Sequence, residues 1–320
     1  MHIQVLVTDG VFDIGLTSLL DTFAMANELM PLLPSSIEPF HVTLVGTRRR
    51  VHTAHGLSVP VVSRLPSHAP EAVVVPALGA KQPPAIHDAL RSKDVRAAGA
   101  MLREWSQDGV WIGAACTATF VLAETGLLDG HSATTSWWLA PFFRQRYRQV
   151  SLEESRMLVA SPPFVTAGAA LAHIDLALGL VRRKSPSLAA MTARYLLVEQ
   201  RVSQAAFVIP DHLAHADPIV ERFEHWARAN LSQGFSMAEA AQSAHVSERT
   251  LSRKVKAVTG KSPLSFFQGL RVQQAVHLLQ TTTAGIESIA SAVGYSDGVT
   301  LRTLLRSRLG YGIKEIRGRA

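Results

Sequence analysis

Residues 237–280 read MAEAAQSAHVSERTLSRKVKAVTGKSPLSFFQGLRVQQAVHLLQ, and residues 286–310 read IESIASAVGYSDGVTLRTLLRSRLG. The two stretches repeat one another. In the first, Ala241 falls in a helix, Val246 in a turn, Ser247 at an N-cap, and Leu251 and Val255 in a second helix that runs to Gly260. Ala290, Tyr295, Ser296, Leu301, Leu305 and Gly310 take the same places in the second, offset by 49 residues up to the cap and by 50 beyond it. A small alanine lets two helices cross closely, the turn residue plugs the gap beneath them, and the i, i+4 apolar pair points inward. Each stretch is therefore expected to be a helix-turn-helix unit whose second helix keeps one face open.

The charge distribution says what that open face meets. Residues 218–320 hold 14 Lys and Arg against 7 Asp and Glu, whereas residues 1–217 hold 18 of each, so the whole formal excess of +7 lies at the carboxyl end. Surplus positive charge on one folded third suits a phosphate-binding surface, because neutralised phosphates and released counterions supply much of the affinity for nucleic acid. Ser247, Glu248, Arg249, Thr250, Arg253 and Lys254 project from the first reader helix, with Lys256 beside them. Asp297, Val299, Thr300, Arg302, Thr303 and Arg306 project from the second. Arginine makes paired hydrogen bonds to guanine, so Arg249, Arg253 and Arg302 are expected at base edges, and Lys254, Lys256 and Arg306 at phosphates. A connecting helix from about Leu264 to Gln280 spans roughly 25 Å at ~1.5 Å per residue. That is comparable with the ~34 Å between successive major-groove turns, so one monomer is expected to read two adjacent turns of double-stranded DNA.

These residues resemble the DNA-binding domain of the AraC family of transcriptional regulators. The match runs over residues 218–320 and includes the S-x-x-x-L-x-R-x-V pattern from Ser247, the G-x-S-P stop at Gly260, and R-V-x-x-A-x-x-L-L from Arg271 to Leu279. Leucines at 301 and 305 stand where the family commonly has phenylalanine, and Ile313 where it has proline.

The first half is patterned differently. Short apolar runs, IQVLV, HVTLVG, EAVVVPA and GVWIGAA, alternate with stretches that read as helices: one from about Ser18 to Met30, one ending near Trp105, and one from Thr117. A turn-rich segment follows HVTLVG, and residues 164–181 read as a short strand and a long apolar helix. Buried strands alternating with helices imply an α/β domain with a doubly wound, flavodoxin-like parallel sheet. It is followed by an all-α domain holding the two helix-turn-helix units. The proline-bearing stretch 208–218 places a linker at 209–217, between domains 1–208 and 218–320.

Cys116 is the one cysteine of the chain, which excludes an internal disulfide framework and a multi-thiolate metal site and suits a reducing cytoplasm. No metal and no cofactor is expected: the histidines lack ligand spacing, and VTDGVFDIG lacks the glycine pattern of a dinucleotide-binding turn. The amino-terminal ten residues do not have the make-up of a secretory signal, no run of eighteen uncharged apolar residues occurs, and no membrane association is expected. Cys116 follows a strand and precedes a helix, the position at which a strained turn presents a nucleophile. Its surroundings resemble the PfpI-like branch of the class I glutamine amidotransferase superfamily over roughly residues 1–200.

The resemblance implies two partners for the thiol. Histidine commonly follows the paired threonines of the segment matching ATTSWW, where this chain has Ser136. An acid is usual after the first strand, where it has Gly15, with Asp13 two positions early. Serine is too weak a base to hold a thiolate. His131 and His173 are the remaining imidazoles considered, as a turn residue and a helix residue. The expectation is a degenerate site of Asp13, Cys116, Thr117 and Ser136 that binds a small effector without turning it over. The alternative is a cysteine-dependent hydrolase or amidase carrying a DNA-binding tail. The fusions it resembles respond to small nitrogenous or amino-acid-like metabolites, and homodimerisation is expected because two-fold pairing doubles the site read.

Overall fold

The computed structural model describes residues 1–33, 37–63, 69–199, 201, 203–204, 217–309 and 312–317. The chain divides into two compact units, Met1–Phe207 and Val208–Ala320. The expected linker, 209–217, lies outside the described residues apart from Asp217.

The first unit carries a six-stranded sheet ordered β2-β1-β5-β6-β10-β9. Its strands are β1 (His2–Leu6), β2 (His41–Val45), β5 (Ala72–Val75), β6 (Trp111–Ala115), β9 (Leu158–Ser161) and β10 (Phe164–Ala167). All neighbours pair in parallel except β9, which runs antiparallel to β10 along the edge. Every residue of β5 and β6 is buried, as expected of strands covered on both faces. Alternate side chains serve two cores. Ile3, Val5 and Val74 pack with Leu19 and Phe23 of α1 (Asp13–Leu29) and with Leu176 and Leu180 of α6 (Ala172–Lys184). Val73, Val75 and Ile112 face α2 (Pro83–Arg91), α3 (Lys93–Gln107) and α4 (Ala118–Glu124) through Ile86, Leu102 and Phe120. The doubly wound sheet is thus as expected.

Three local expectations need correction. Helix α1 begins at Asp13, five residues before Ser18, because Phe12 is extended and Gly15 is accommodated inside the first turn. What reads as one helix ending near Trp105 is two: Ser92 is extended, and its hydroxyl accepts the Val95 N–H, capping α3 afresh. The turn-rich segment after β2 holds a hairpin, β3 (Arg50–His52) and β4 (Ser58–Pro60), in which Val51 alone is buried. Two further two-residue strands, β7 (Ser132–Ala133) and β8 (Ser151–Leu152), pair in parallel. Helices α5 (Ala140–Arg146) and α7 (Pro186–Tyr195) complete the unit.

The described part of the second unit is helical: α8 (Pro218–Ala229), α9 (Met237–Ser243), α10 (Glu248–Thr259), α11 (Pro263–Thr281), α12 (Ile286–Ala292), α13 (Gly298–Leu309) and α14 (Ile313–Arg317). Side chains cap most of the starts. Asp217, Ser236, Ser247 and Ser262 accept the N–H of Ile219, Glu239, Thr250 and Ser265. The connecting helix α11 divides its apolar residues. Phe266, Phe267 and Leu270 join Phe223, Ala241, Leu251 and Val255 in one core, while Val272, Ala275 and Leu279 join Ala290, Leu301 and Leu305 in another. Two small cores threaded by one helix are what a tandem repeat requires. Leu301 and Leu305 are both fully buried, so leucine takes the core positions where the resembled family has phenylalanine.

Candidate functional site

The predicted residues fall into two sets, one in each unit. On the second, α10 and α13 turn Leu251, Val255, Leu301 and Leu305 inward, which leaves Ser247, Glu248, Arg249, Arg253, Lys256, Val299, Thr300, Arg302, Thr303 and Arg306 exposed. Thr250, Lys254 and Asp297 are half-buried. Some of these groups already have work within the fold. The Ser247 hydroxyl caps α10, and the Asp297 carboxylate accepts from the Thr300 N–H at 2.7 Å and from the hydroxyls of Thr300 and Ser296. Those hydrogen bonds hold the Asp297 carboxyl below its ordinary pKa. Lys254 makes an ion pair with Asp217 at 2.8 Å. Arg249, Arg253, Lys256, Arg302 and Arg306 have no carboxylate partner among the described residues, so their charge is available to a ligand. Arg302 and Arg306 also line a groove of about 420 Å³ with Lys314, a cation that sequence reasoning passed over because it lies beyond the repeat.

A buried arginine joins the two helix-turn-helix units. Arg271, midway along α11, donates from Nε to the Leu231 carbonyl at 2.9 Å, and its guanidinium lies over the rings of Phe267 and Tyr295 at 4.9 and 5.3 Å. Tyr295, in the turn of the second unit, donates its hydroxyl to Gln268 at 2.7 Å. One side chain therefore ties the loop between α8 and α9 to the turn of the second repeat.

In the first unit, Cys116 leaves β6 in the left-handed conformation with φ of 56°, a strained geometry for a residue with a Cβ. Its backbone N–H donates to Ala167 at the end of β10. The thiol is buried among Phe12 and Ala77, with Trp138 and Ala170 against it, and its Sγ lies 2.8 Å from the Ser136 hydroxyl. Burial pushes the thiol pKa up. Hydrogen bonds from Ser136 and Thr117 and the charge of Lys81 offset this only in part. The structure thus brings Cys116 and Ser136 together, whereas the Thr117 hydroxyl donates to the Leu78 carbonyl. Asp13 pairs with His55 at 2.7 Å. Burial opposes ionisation of Asp13, but hydrogen bonds from Thr53 and His55 outweigh it and keep its carboxyl below the usual value.

Neither imidazole considered from the sequence bonds to the sulfur. His173 is fully buried: its Nε2 accepts the Ala77 N–H at 3.0 Å and its Nδ1 donates to the Ala170 carbonyl at 2.7 Å. Burial pulls its pKa down to about 4, so it is neutral with both nitrogens engaged. His131 lies beside Phe164 at the start of β10, with its Nδ1 2.9 Å from the Ser161 hydroxyl, whereas Cys116 is at the opposite end of these strands. Sequence reasoning missed Phe12, Trp138 and Lys81. The one signal for Lys81, whose Nζ lies 5.1 Å from the Phe12 ring centre, is its place in the loop after a parallel strand, at the edge where such sheets bind ligands.

Comparison with known proteins agrees with both halves. The model of the DJ-1/PfpI family matches residues 1–183, and that of a helix-turn-helix domain matches residues 240–319. The HTH-type transcriptional regulator ArgR of Pseudomonas aeruginosa is 28% identical over 225 residues, which cover 69% of this chain and 68% of that protein. The HTH-type transcriptional regulator GbdR of the same species is 25% identical over 288 residues, 87% of this chain and 76% of its own. Among solved structures, a protein from Vibrio parahaemolyticus described as a transcriptional regulator superposes with a TM-score of 0.51 at 18% identity, covering 61% of this chain and 98% of that one. At that identity the likeness establishes the fold of the first unit.

Proposed function

Because this chain belongs to the DJ-1/PfpI family over residues 1–183 and is a DNA-binding transcriptional regulator of the AraC type, we propose that its Cys116 crevice binds a small metabolite without converting it. Occupancy of the crevice then sets how the second unit engages its operator. One observation carries this reading: the thiol is paired with a serine, while the nearby buried imidazole spends both nitrogens on backbone groups. A protonated thiol without a base is a poor nucleophile, so hydrolysis is disfavoured. A crevice at the carboxyl edge of a parallel sheet still offers N–H groups and helix starts to a ligand. Asp13 and Lys81 supply opposite charges there, which suits small nitrogenous, amino-acid-like effectors.

In this reading residues 1–208 sense the effector and support pairing of two copies, and residues 218–320 read DNA. Arg249, Arg253 and Arg302 contact base edges in two adjacent major-groove turns. Lys256 and Arg306 contact phosphate, and Lys254 does so on leaving Asp217. Ser247 and Asp297 serve chiefly to fix the reader helices, and their neighbours Glu248, Thr250, Val299, Thr300 and Thr303 complete the surface. No described helix is long and apolar enough to cross a membrane.

The test is a titration of the full-length protein against a panel of amino acids, amines and betaines, followed by melting temperature and operator affinity. A compound that raises the melting temperature and changes DNA affinity, with both effects weakened in Cys116→Ala, supports sensing. Turnover of any panel compound that Cys116→Ala abolishes would favour the hydrolase instead.

A further inference from the structure

Gln204 is polar, fully buried and 68 positions along the chain from Ser136. It stands 14 residues before Pro218, where the first described helix of the DNA-reading unit begins, so it belongs to the chain that leads from one unit to the other. Its side-chain amide is fully engaged. Nε2 donates to the Thr135 carbonyl at 2.8 Å and, at 3.3 Å, to the Thr134 hydroxyl and the Arg156 carbonyl. Oε1 accepts the Trp137 N–H at 3.1 Å. The two backbone groups thus held, Thr135 C=O and Trp137 N–H, flank Ser136, whose hydroxyl meets Cys116. Thr135 in turn donates its hydroxyl to the Cys116 carbonyl at 2.8 Å.

The neighbouring residues fasten the same segment. Arg201 bonds the Leu171 carbonyl and the Asp175 carboxylate at the start of α6, next to Ala170, which packs near Cys116. Ser203 donates its hydroxyl to the Ser155 carbonyl at 2.7 Å, and the Gln204 N–H donates to the same carbonyl at 2.9 Å. The socket admits no bulk: a Cβ on Gly168 would overlap the Gln204 amide.

We infer that Gln204 is a positioning residue that holds Ser136 against Cys116 and passes any displacement of that pair to the chain leading into the DNA-reading unit. An occupant that separates Ser136 from Cys116 must shift the peptide groups on either side of Ser136. Those groups bind the Gln204 amide, and a buried amide cannot keep its place once its partners move, because each unmade bond leaves a desolvated polar group. Arg201, Ser203 and Gln204 are therefore latched while the crevice is empty and freed when it is filled. This inference rests on the ligand-binding reading of the crevice, but the following test needs no metabolite.

Cys116 is the only cysteine, so methyl methanethiosulfonate labels this position alone in the full-length protein. Its sulfur forms a disulfide bond to the reagent's thiomethyl group, the reagent's S–S bond breaks, methanesulfinate leaves, and the thiol proton goes to solvent. Hydrogen exchange is then followed by mass spectrometry in the peptide ending at Gln204 and in the peptide holding Thr134–Trp137. Labelling is expected to speed exchange at least tenfold in both, with no effect of the reagent on Cys116→Ala. Without label, Gln204→Ala and Gln204→Glu are expected to speed alkylation of Cys116 by iodoacetamide several-fold.

Quantitative labelling that leaves the Gln204 peptide as protected as before would overturn the coupling, and so would variants that fold normally and leave the alkylation rate unchanged. The wild-type arm decides the matter if the variants do not fold. A failed metabolite panel alongside a positive exchange result would remove the sensing reading and leave the latch. The reverse pattern would remove the latch alone.

Discussion

The imidazole of His173 fills the space that a side chain at position 15 would need: a Cβ built on Gly15 would lie 2.6 Å from His173 Nε2. The acid that the resembled enzymes carry after their first strand is therefore sterically excluded here, as well as missing from the sequence. With its Nε2 bound to the Ala77 N–H and its Nδ1 to the Ala170 carbonyl, His173 serves the fold and not the Cys116 thiol.

That relationship predicts coupling. Gly15→Ala should destabilise the protein by about 1–3 kcal/mol through overpacking. His173→Ala should cost roughly 2–4 kcal/mol through the cavity and the unpaired Ala77 N–H. In the double variant the added methyl enters the space the ring vacates. Urea denaturation of all four proteins should therefore show a double-variant loss at least ~1 kcal/mol smaller than the sum of the two. Strict additivity would mean that the two residues do not share that space.

His173 also makes stability depend on pH. Its pKa is about 4 in the folded protein against an ordinary 6.5, so the unfolded chain takes up the proton first as pH falls. Stability should decline from pH 6.5 towards about 4 and then level off, by an amount on the order of 3 kcal/mol. The difference between wild type and His173→Gln, measured by denaturation across that window, isolates the contribution. A parallel pair of curves would contradict it.

Reactivity of Cys116 should follow its burial. Because the thiol pKa is raised, alkylation by iodoacetamide should be slow at pH 7 and still climbing at pH 9. Ser136→Ala removes a donor to the thiolate and should move the profile further to the alkaline side. A rate that levels off below pH 8 would show a stabilised thiolate and revive the hydrolase.

Much of this architecture is legible in the chain because it is written in apolar periodicity. The all-buried runs at 72–75 and 111–115 and the paired Ala, Ser and Leu spacing of the tandem repeat depend on residue type alone. The misreadings occur where a backbone conformation or a distant partner decides. Gly15 lowers the apparent helicity of the first turn of α1, yet it is needed there because of a histidine 158 positions away. Ser92 breaks a continuous helical pattern with one hydroxyl. Gln204 binds backbone atoms 48 to 69 residues distant, and no side-chain pattern records such partners.

Arg271 should fix the geometry between the two reader helices. Its guanidinium and the Leu231 carbonyl crowd Gly294, which has φ of 81°, so Gly294→Ala meets both steric overlap and backbone strain. Arg271→Met keeps the length of the side chain and loses the bond to Leu231 and the stacking charge. It should lower affinity for a two-block operator at least tenfold and flatten the dependence of affinity on one-base-pair insertions between the blocks. An unchanged insertion profile in a folded variant would show that the helix alone sets the spacing.

The most direct test of the whole account is selection of binding sites by the full-length protein from random duplex DNA, at low salt and again at about 0.2 M. The structure predicts a two-block sequence preference with centres about 10 base pairs apart and an affinity that falls steeply with salt. Arg249→Ala and Arg302→Ala should each blunt one block by about 1–3 kcal/mol of base discrimination. Recovery of a random pool with no enriched sequence at low salt, or of one block untouched by either substitution, would contradict the claim that these paired helices read DNA.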